Sequence, residues 1–205
     1  MPGGDITVVA GGWSVRNIAI DHLCGLVIAV NDSALHLPKV DIVVSMDRLW
    51  TEHRWAWLRK RAGPTWLRRS AVQNLTERWL DLKIFVCDHT STRFVPAVAG
   101  DTYQLNGTNS GLCALNLAWS LEPARVFLLG FDLNRDPNGE AHWFAPYDWR
   151  PAGTSARDYQ QWAREFSASA RAFSGAGIEV FNVSPTSAVT AFKKITPAQY
   201  RTECR

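Results

Sequence analysis

Short apolar runs alternate with segments of helical spacing along almost the whole chain. Residues 6–10 (Ile-Thr-Val-Val-Ala) run into Gly11-Gly12, residues 26–30 into Asn31-Asp32, and residues 41–46 into Asp47. Residues 84–87 run into Asp88-His89, residues 125–129 into Gly130-Phe131-Asp132, and residues 178–183 into Ser184-Pro185. The runs are nearly continuous rather than alternating, as expected of strands covered on both faces. Between them, residues 156–174 place Tyr159, Trp162, Phe166, Ala170 and Phe173 on one helical stripe, with Gly175 and Gly177 to stop it. A second helix is expected from Asn109 or Ser110 to about Ser120, with Leu112, Leu115 and Trp119 on one face and Pro123 enforcing its end. The Gly11-Gly12-Trp13-Ser14 turn is expected to lead into a further helix near Arg16. Strands alternating with helices predict an α/β fold. The expectation is a Rossmann-like, mostly parallel sheet of about six strands, with helices on both faces and a lid loop. The 205 residues fit a single α/β domain, 1–205. Residues 134–154, rich in Asp, Asn, Gly, Pro and aromatics, are the lid, since long loops in compact domains are usually functional.

Composition narrows the class without naming a function. Apolar residues make up 46% and charged residues 20%, the balance of a soluble globular protein rather than a disordered or collagenous one. No stretch approaches the roughly 18–20 apolar residues of a membrane span. Met-Pro-Gly-Gly-Asp at the start has neither a basic nor an apolar signal region, and the chain reads as cytoplasmic. Cys24, Cys87, Cys113 and Cys204 lack CxxC spacing; three of them sit in apolar runs and are expected to be small buried hydrophobes, and neither a disulfide nor a zinc site is expected.

The net charge of +3 hides an uneven distribution. Seven of the 22 Lys and Arg residues lie within 48–69, together with Trp50, Trp55, Trp57 and Trp66. If 50–61 is helical, Trp50 and Trp57 share its buried stripe, while Trp55 falls beside Arg59 and roughly in line with Arg48. Interleaved Arg and Trp suit stacking on bases or sugar rings and neutralising phosphates, so Arg48, Trp55 and Arg59 are candidate acceptor-binding residues. The competing reading is a cover helix with snorkelling arginines.

In parallel sheets ligands bind at the carboxyl ends of the strands, near a topological switch point. That rule selects Gly11, Gly12, Ser14, Asn31, Asp32, Asp47, Asp132, Ser184 and Thr186. These residue types are also ordinary turn and cap formers, and their joint position after successive strands is what counts. Neither G-x-G-x-x-G nor the P-loop pattern is present, so no nicotinamide or flavin is indicated. Gly107-Thr108-Asn109-Ser110-Gly111 combines flexible backbone, three polar side chains and a helix start, which suit a phosphate or carboxylate. His142 is the one histidine placed where a lid could carry it over the strand ends, as a general base. No metal-ligand pattern appears, and no metal site is expected.

Taken in order, these parts resemble a known pattern. They are a strand into Gly-Gly-x-Ser, a strand ending in Asn31, the Thr108-Asn109-Ser110-Gly111 helix start, and a strand ending Leu129-Gly130-Phe131-Asp132. A long loop, an aromatic helix and a strand into Ser184-Pro185-Thr186-Ser187 complete it. The order is similar, from Ile6 to about Phe192, to the bacterial CMP-sialic-acid-dependent sialyltransferases. It also resembles a wider set with the 6-hydroxymethylpterin diphosphokinase (MptE-like) proteins and uncharacterised phage-encoded members. The resemblance implies a metal-independent, nucleotide-sugar-dependent glycosyltransferase with a CMP-like nucleotide as co-substrate and no tightly bound cofactor. It implies that Asn31 contacts the nucleotide, that Ser110 and Gly111 hold phosphate or carboxylate, and that Tyr147 or Tyr159 binds phosphate. A histidine then deprotonates the acceptor hydroxyl. Gly11 stands where that family carries Asn, and Asn109 where it carries Thr; His142 lies earlier than the family's histidine. The diphosphokinase relatives imply an alternative in which Asp47 or Asp132 binds Mg²⁺ and a nucleoside triphosphate. A third reading is a non-catalytic relative that binds nucleic acid or protein through 48–69. The acceptor is a glycan or nucleic acid, and an oligomer is compatible with all three.

Overall fold

The computed structural model describes residues 3–75, 81–149 and 154–204. Residues 150–153 of the expected lid, and Met1-Pro2 at the start, lie outside the described residues. All six strands expected from the apolar runs form: β1 (Asp5–Val9), β2 (Leu26–Val30), β3 (Ile42–Ser45), β5 (Leu82–Val86), β8 (Arg125–Leu129) and β9 (Glu179–Asn182). The sheet nevertheless has ten strands, not about six. The additions are β4 (Thr65–Arg68), β6 (Val98–Ala99), β7 (Thr102–Gln104) and β10 (Lys193–Lys194). They escape a search for apolar runs because they are two to four residues long and most carry Arg, Gln or Lys. Their strand character comes from pairing: Thr65 with Leu82, Tyr103 with Phe85, and Lys193 with Phe181.

The spatial order is β10-β9-β8-β1-β2-β3-β4-β5-β7-β6, and every pairing is parallel except that of β6 with β7. After β1 the chain builds outward through β2 to β7, then returns to lay β8 on the other side of β1. The order therefore reverses between β1 and β8, where a crevice opens at the carboxyl ends.

Side chains alternate between two apolar layers. Val8, Ile28, Val44 and Leu128 face a core completed by α3 (Ser110–Ser120) and α4 (Ala156–Gly175). Val9, Val27, Val43 and Leu129 face a second core with Trp50 and Leu58 of α2 (Arg48–Leu58) and Tyr200 of α5 (Pro197–Glu203). Helices thus lie on both faces, as expected. A four-residue helix, α1 (Ser33–His36), follows β2. The helix anticipated near Arg16 is only a 3-10 turn, Trp13–Asn17, because Ile18 is already extended at φ −111° and the Ser14 amide is held by Asp132.

The cysteines depart from expectation. Cys24 and Cys204 form a disulfide across 180 residues, with Cα atoms 5.2 Å apart. No local spacing announces the pair; it is assembled by Tyr200. The Cys24 N–H donates to the Tyr200 hydroxyl (3.0 Å), and Thr7 Oγ1 donates to the Cys24 carbonyl (2.8 Å). The Tyr200 hydroxyl therefore donates to Thr7 Oγ1 at 3.0 Å. Reduction should cost about 2–5 kcal/mol, since so long a loop is released in the unfolded chain. The expected fall in Tm is roughly 4–20 °C at ~2–4 °C per kcal/mol for a domain of this size. An unchanged melting curve in dithiothreitol would contradict it. Cys87 and Cys113 are free thiols with Sγ atoms 3.7 Å apart. Among the described residues no helix is long and apolar enough to cross a membrane.

Candidate active site

A cleft of about 400 Å³ opens at the β1/β8 switch point, and a second lobe of about 380 Å³ continues beneath residues 139–149. Gly11, Asn31, Asp47 and His142 line both lobes.

The floor is set by the close approach of β1 and β8. Gly12 donates its N–H to the Gly130 carbonyl at 2.9 Å. A Cβ at Gly12 would lie 2.2 Å from Asp132 Oδ2 and 2.4 Å from the Gly130 oxygen, so only glycine fits. Asp132 is fully buried below this floor. Its Oδ2 accepts the Ser14 N–H (2.9 Å) and its Oδ1 the Ser184 hydroxyl (2.5 Å). Both carboxylate oxygens are thus engaged, and Asp132, Ser14 and Ser184 join three strand ends without lining the cleft. Thr186 is exposed and lies outside it, its carbonyl accepting from Asn134 Nδ2 at 2.8 Å.

Asn31 closes β2 in the left-handed region at φ 52°, a conformation asparagine tolerates better than most residues. Its Oδ1 is buried without a hydrogen-bond partner. Buried polar atoms are nearly always bonded, which sets this oxygen apart from most of the cleft wall.

The opposite wall is the start of α3. Asn109 is the N-cap, its Oδ1 accepting from the Leu112 N–H at 3.1 Å. Ser110 Oγ accepts from the Met46 N–H at 3.0 Å, which ties the helix to the end of β3. Asn109, Ser110 and Gly111 all line the cleft, where a helix start favours an anion. Asp47 caps α2 through Trp50 N–H (3.1 Å) and contributes to the rim. Tyr159 and Trp162, both on the apolar stripe of α4, line the first lobe, and Tyr147 lines the second. Burial raises the phenol pKa of Tyr147, helped by the Asp32 carboxylate, and burial also raises that of Tyr159. Both therefore remain neutral hydrogen-bond donors at pH 7.

The described part of the expected lid lies folded against the β1 end. Gly12 and His142 form an antiparallel bridge, and Trp143 N–H donates to the Gly11 carbonyl at 3.2 Å. Arg16 donates to the His142 carbonyl and pairs with Asp136 at 3.3 Å, while Trp13 Nε1 donates to Asn134 at 3.0 Å. His142 Nδ1 lies 3.1 Å from the Gly11 carbonyl, and its ring stacks on Phe144. A carbonyl can only accept, so this contact is a hydrogen bond when Nδ1 carries a proton.

The basic segment is not one surface. Within α2, Trp50 is buried as expected and Trp57 is half-buried. Arg54 forks onto Asp32 (2.8 and 2.6 Å) and packs 4.7 Å from the Trp149 ring centre, while Arg61 donates to three backbone carbonyls. Arg48 reaches the cleft, but Trp55 and Arg59 do not line it. Arg68, at the end of β4, does line it, and the strand-end rule misses it. The available signal is a charged residue at a strand end, hidden because β4 is too short to stand out as an apolar run. Beside it, the Cys87 thiol pKa is lowered, first by its hydrogen bond with Cys113 and further by the Arg68 charge.

No protein-family model matches the chain, and no curated protein sequence matches it. Two solved structures do match in shape. The sialyltransferase CstII from Campylobacter jejuni, in complex with the substrate analogue cytidine-5'-monophosphate, aligns with a TM-score of 0.59 at 12% identity, over 96% of this chain and 86% of that one. The monofunctional alpha-2,3-sialyltransferase Cst-I from the same organism aligns with a TM-score of 0.53 at 14% identity, over 93% and 79%. The fold is sialyltransferase-like. That likeness concerns the path of the chain. What the cleft holds is set by its own residues.

Proposed function

We propose that the chain is a nucleotide-sugar-dependent glycosyltransferase that binds a CMP-like nucleotide in the switch-point cleft. The observation that carries this reading is the buried, unpartnered Oδ1 of Asn31, a residue that lines the switch-point cleft. An exocyclic amine or sugar hydroxyl of a nucleotide supplies the missing donor. The solved complex of CstII with cytidine-5'-monophosphate supports the nucleotide class. In this reading the nucleotide lies along Gly11 and Asn31, and its phosphate meets the first turn of α3 and the Tyr159 phenol. These neutral donors oppose the phosphate charge without a metal ion. His142 Nε2 takes the proton from the acceptor hydroxyl as that oxygen bonds to the anomeric carbon, and the nucleoside monophosphate leaves with the electrons of the broken bond. Asp132 acts at one remove, fixing the β1 and β8 ends between which the nucleotide sits. Residues 134–149 exclude water over the site.

Thermal shift tests the reading. At 100 times its Kd, CMP should stabilise the protein by about 2.7 kcal/mol. That is roughly 5–10 °C at ~2–4 °C per kcal/mol. Magnesium should not be required, and Asn31→Ala should remove most of the shift. No shift with CMP or any other nucleotide would sink the proposal, and a shift appearing only with ATP and Mg²⁺ would favour phosphotransfer.

A further inference from the structure

We propose that Arg68 makes an anion-binding subsite at the far end of the cleft, and that the acceptor is a small molecule carrying a phosphate or carboxylate. This deepens the glycosyltransferase reading and rests on it for the word acceptor. The subsite itself stands on separate observations.

Arg68 is unlike the other half-buried arginines of the chain. Arg54 and Arg125 fork onto carboxylates, and Arg61 is spent on backbone carbonyls. The Arg68 guanidinium has no hydrogen bond or ion pair among the described residues, although its Nε is buried and the residue lines the cleft. A buried guanidinium N–H without an acceptor is unfavourable in the folded chain alone, and it is relieved when an anion enters. The fork of an arginine fits a phosphate or carboxylate through two parallel hydrogen bonds.

Position separates this group from the nucleoside end of the nucleotide. β1, where the nucleotide is anchored, is three strands from β4, or about 14 Å at ~4.8 Å per strand. The α3 start lies between them, fastened to Met46 at the end of β3 by Ser110. Leu67 pairs with Ser45, so Arg68 emerges one strand beyond the helix start. Arg68 lies on the far side of the α3 start from the nucleoside, and it lines the same cleft as His142, so an acceptor whose hydroxyl meets His142 sets its anion on Arg68 by reaching across that cleft. Arg48 adds a second cation to the same wall, already paired with Glu52 at 3.0 Å. Asp47 is the acidic neighbour on that wall, and its Oδ1 accepts from the Trp50 N–H.

The test titrates inorganic phosphate, and separately succinate, into CMP-saturated protein at constant ionic strength, reading Tm. Wild type should show a further upward shift beyond a chloride control. Arg68→Met should weaken that response about 10–100-fold, as expected for loss of a charge-assisted pair. Its CMP affinity should be unchanged, and its ligand-free Tm should equal or exceed that of wild type. Arg68→Lys, which keeps the charge without the fork, should fall between the two. A response to phosphate alone assigns a phosphorylated acceptor; a response to both anions assigns a carboxylate-tolerant one. The proposal is overturned if neither anion adds to the CMP shift. It is overturned equally if Arg68→Met weakens CMP itself tenfold, which would give Arg68 to the nucleotide. Displacement of phosphate by a single-stranded oligonucleotide at the Arg68 site would replace the small acceptor with a polymer. If CMP does not bind at all, the nucleotide reading fails, and the same titrations without CMP still decide whether Arg68 holds an anion.

Discussion

Replacing His142 by glutamine should lower glycosyl transfer by about 10²–10⁴-fold, the usual contribution of a positioned general base. The expectation follows from the ring's tautomer. With Nδ1 donating to the Gly11 carbonyl at 3.1 Å, a proton taken up by the ring goes to Nε2. Glutamine can keep a hydrogen bond to Gly11 but has no basic nitrogen. The loss should therefore appear in kcat while CMP affinity stays within a few fold. Single-turnover assays with the donor identified by thermal shift would measure it. An unchanged rate would remove His142 from the chemistry. A parallel loss of CMP affinity would instead mean that the side chain holds residues 134–149 in place. The bridge between Gly12 and His142 makes that outcome distinguishable only when both quantities are measured.

Gly12→Ala should destabilise the protein by about 3–5 kcal/mol. Overpacking alone costs ~1–3 kcal/mol, and moving Asp132 adds the loss of hydrogen bonds to a buried carboxylate. The new methyl would sit 2.2 Å from Asp132 Oδ2 and 2.4 Å from a backbone oxygen that cannot swing aside. Asp132 would have to release Ser14 or Ser184, and the ends of β1, β8 and β9 would separate. Backbone strain plays no part, because Gly12 has φ −64°, which any residue adopts. Gly175→Ala is the control. It ends α4, a methyl there would have nothing within 4 Å, and the change should be neutral or stabilising by up to ~1 kcal/mol. Equal effects from the two substitutions in urea denaturation would show that the β1/β8 contact is not a tight junction.

Much of this architecture is legible in the order of residues. The six apolar runs are six strands, the stripe from Tyr159 to Phe173 is one face of α4, and the Asn109 cap starts α3. Each is a local pattern in which one apolar face demands cover, so periodicity suffices. The strand-end rule also draws Gly11, Asn31, Asp47 and Ser110 together from sequence alone, and they do line one cleft. It cannot separate Asp132 and Ser184, which bond to each other beneath the floor, from residues that face a ligand.

Residue order, then, determined the α/β class, the main strands and the set of strand ends from which a site would be built. Tertiary structure decided the rest: the four short strands, the Cys24–Cys204 bond, and the role of each arginine between Arg48 and Arg68. The reason is range. Helical and strand periodicity act between near neighbours in sequence, whereas a disulfide across 180 residues, or an arginine left without a carboxylate, depends on what other segments bring to the same point in space.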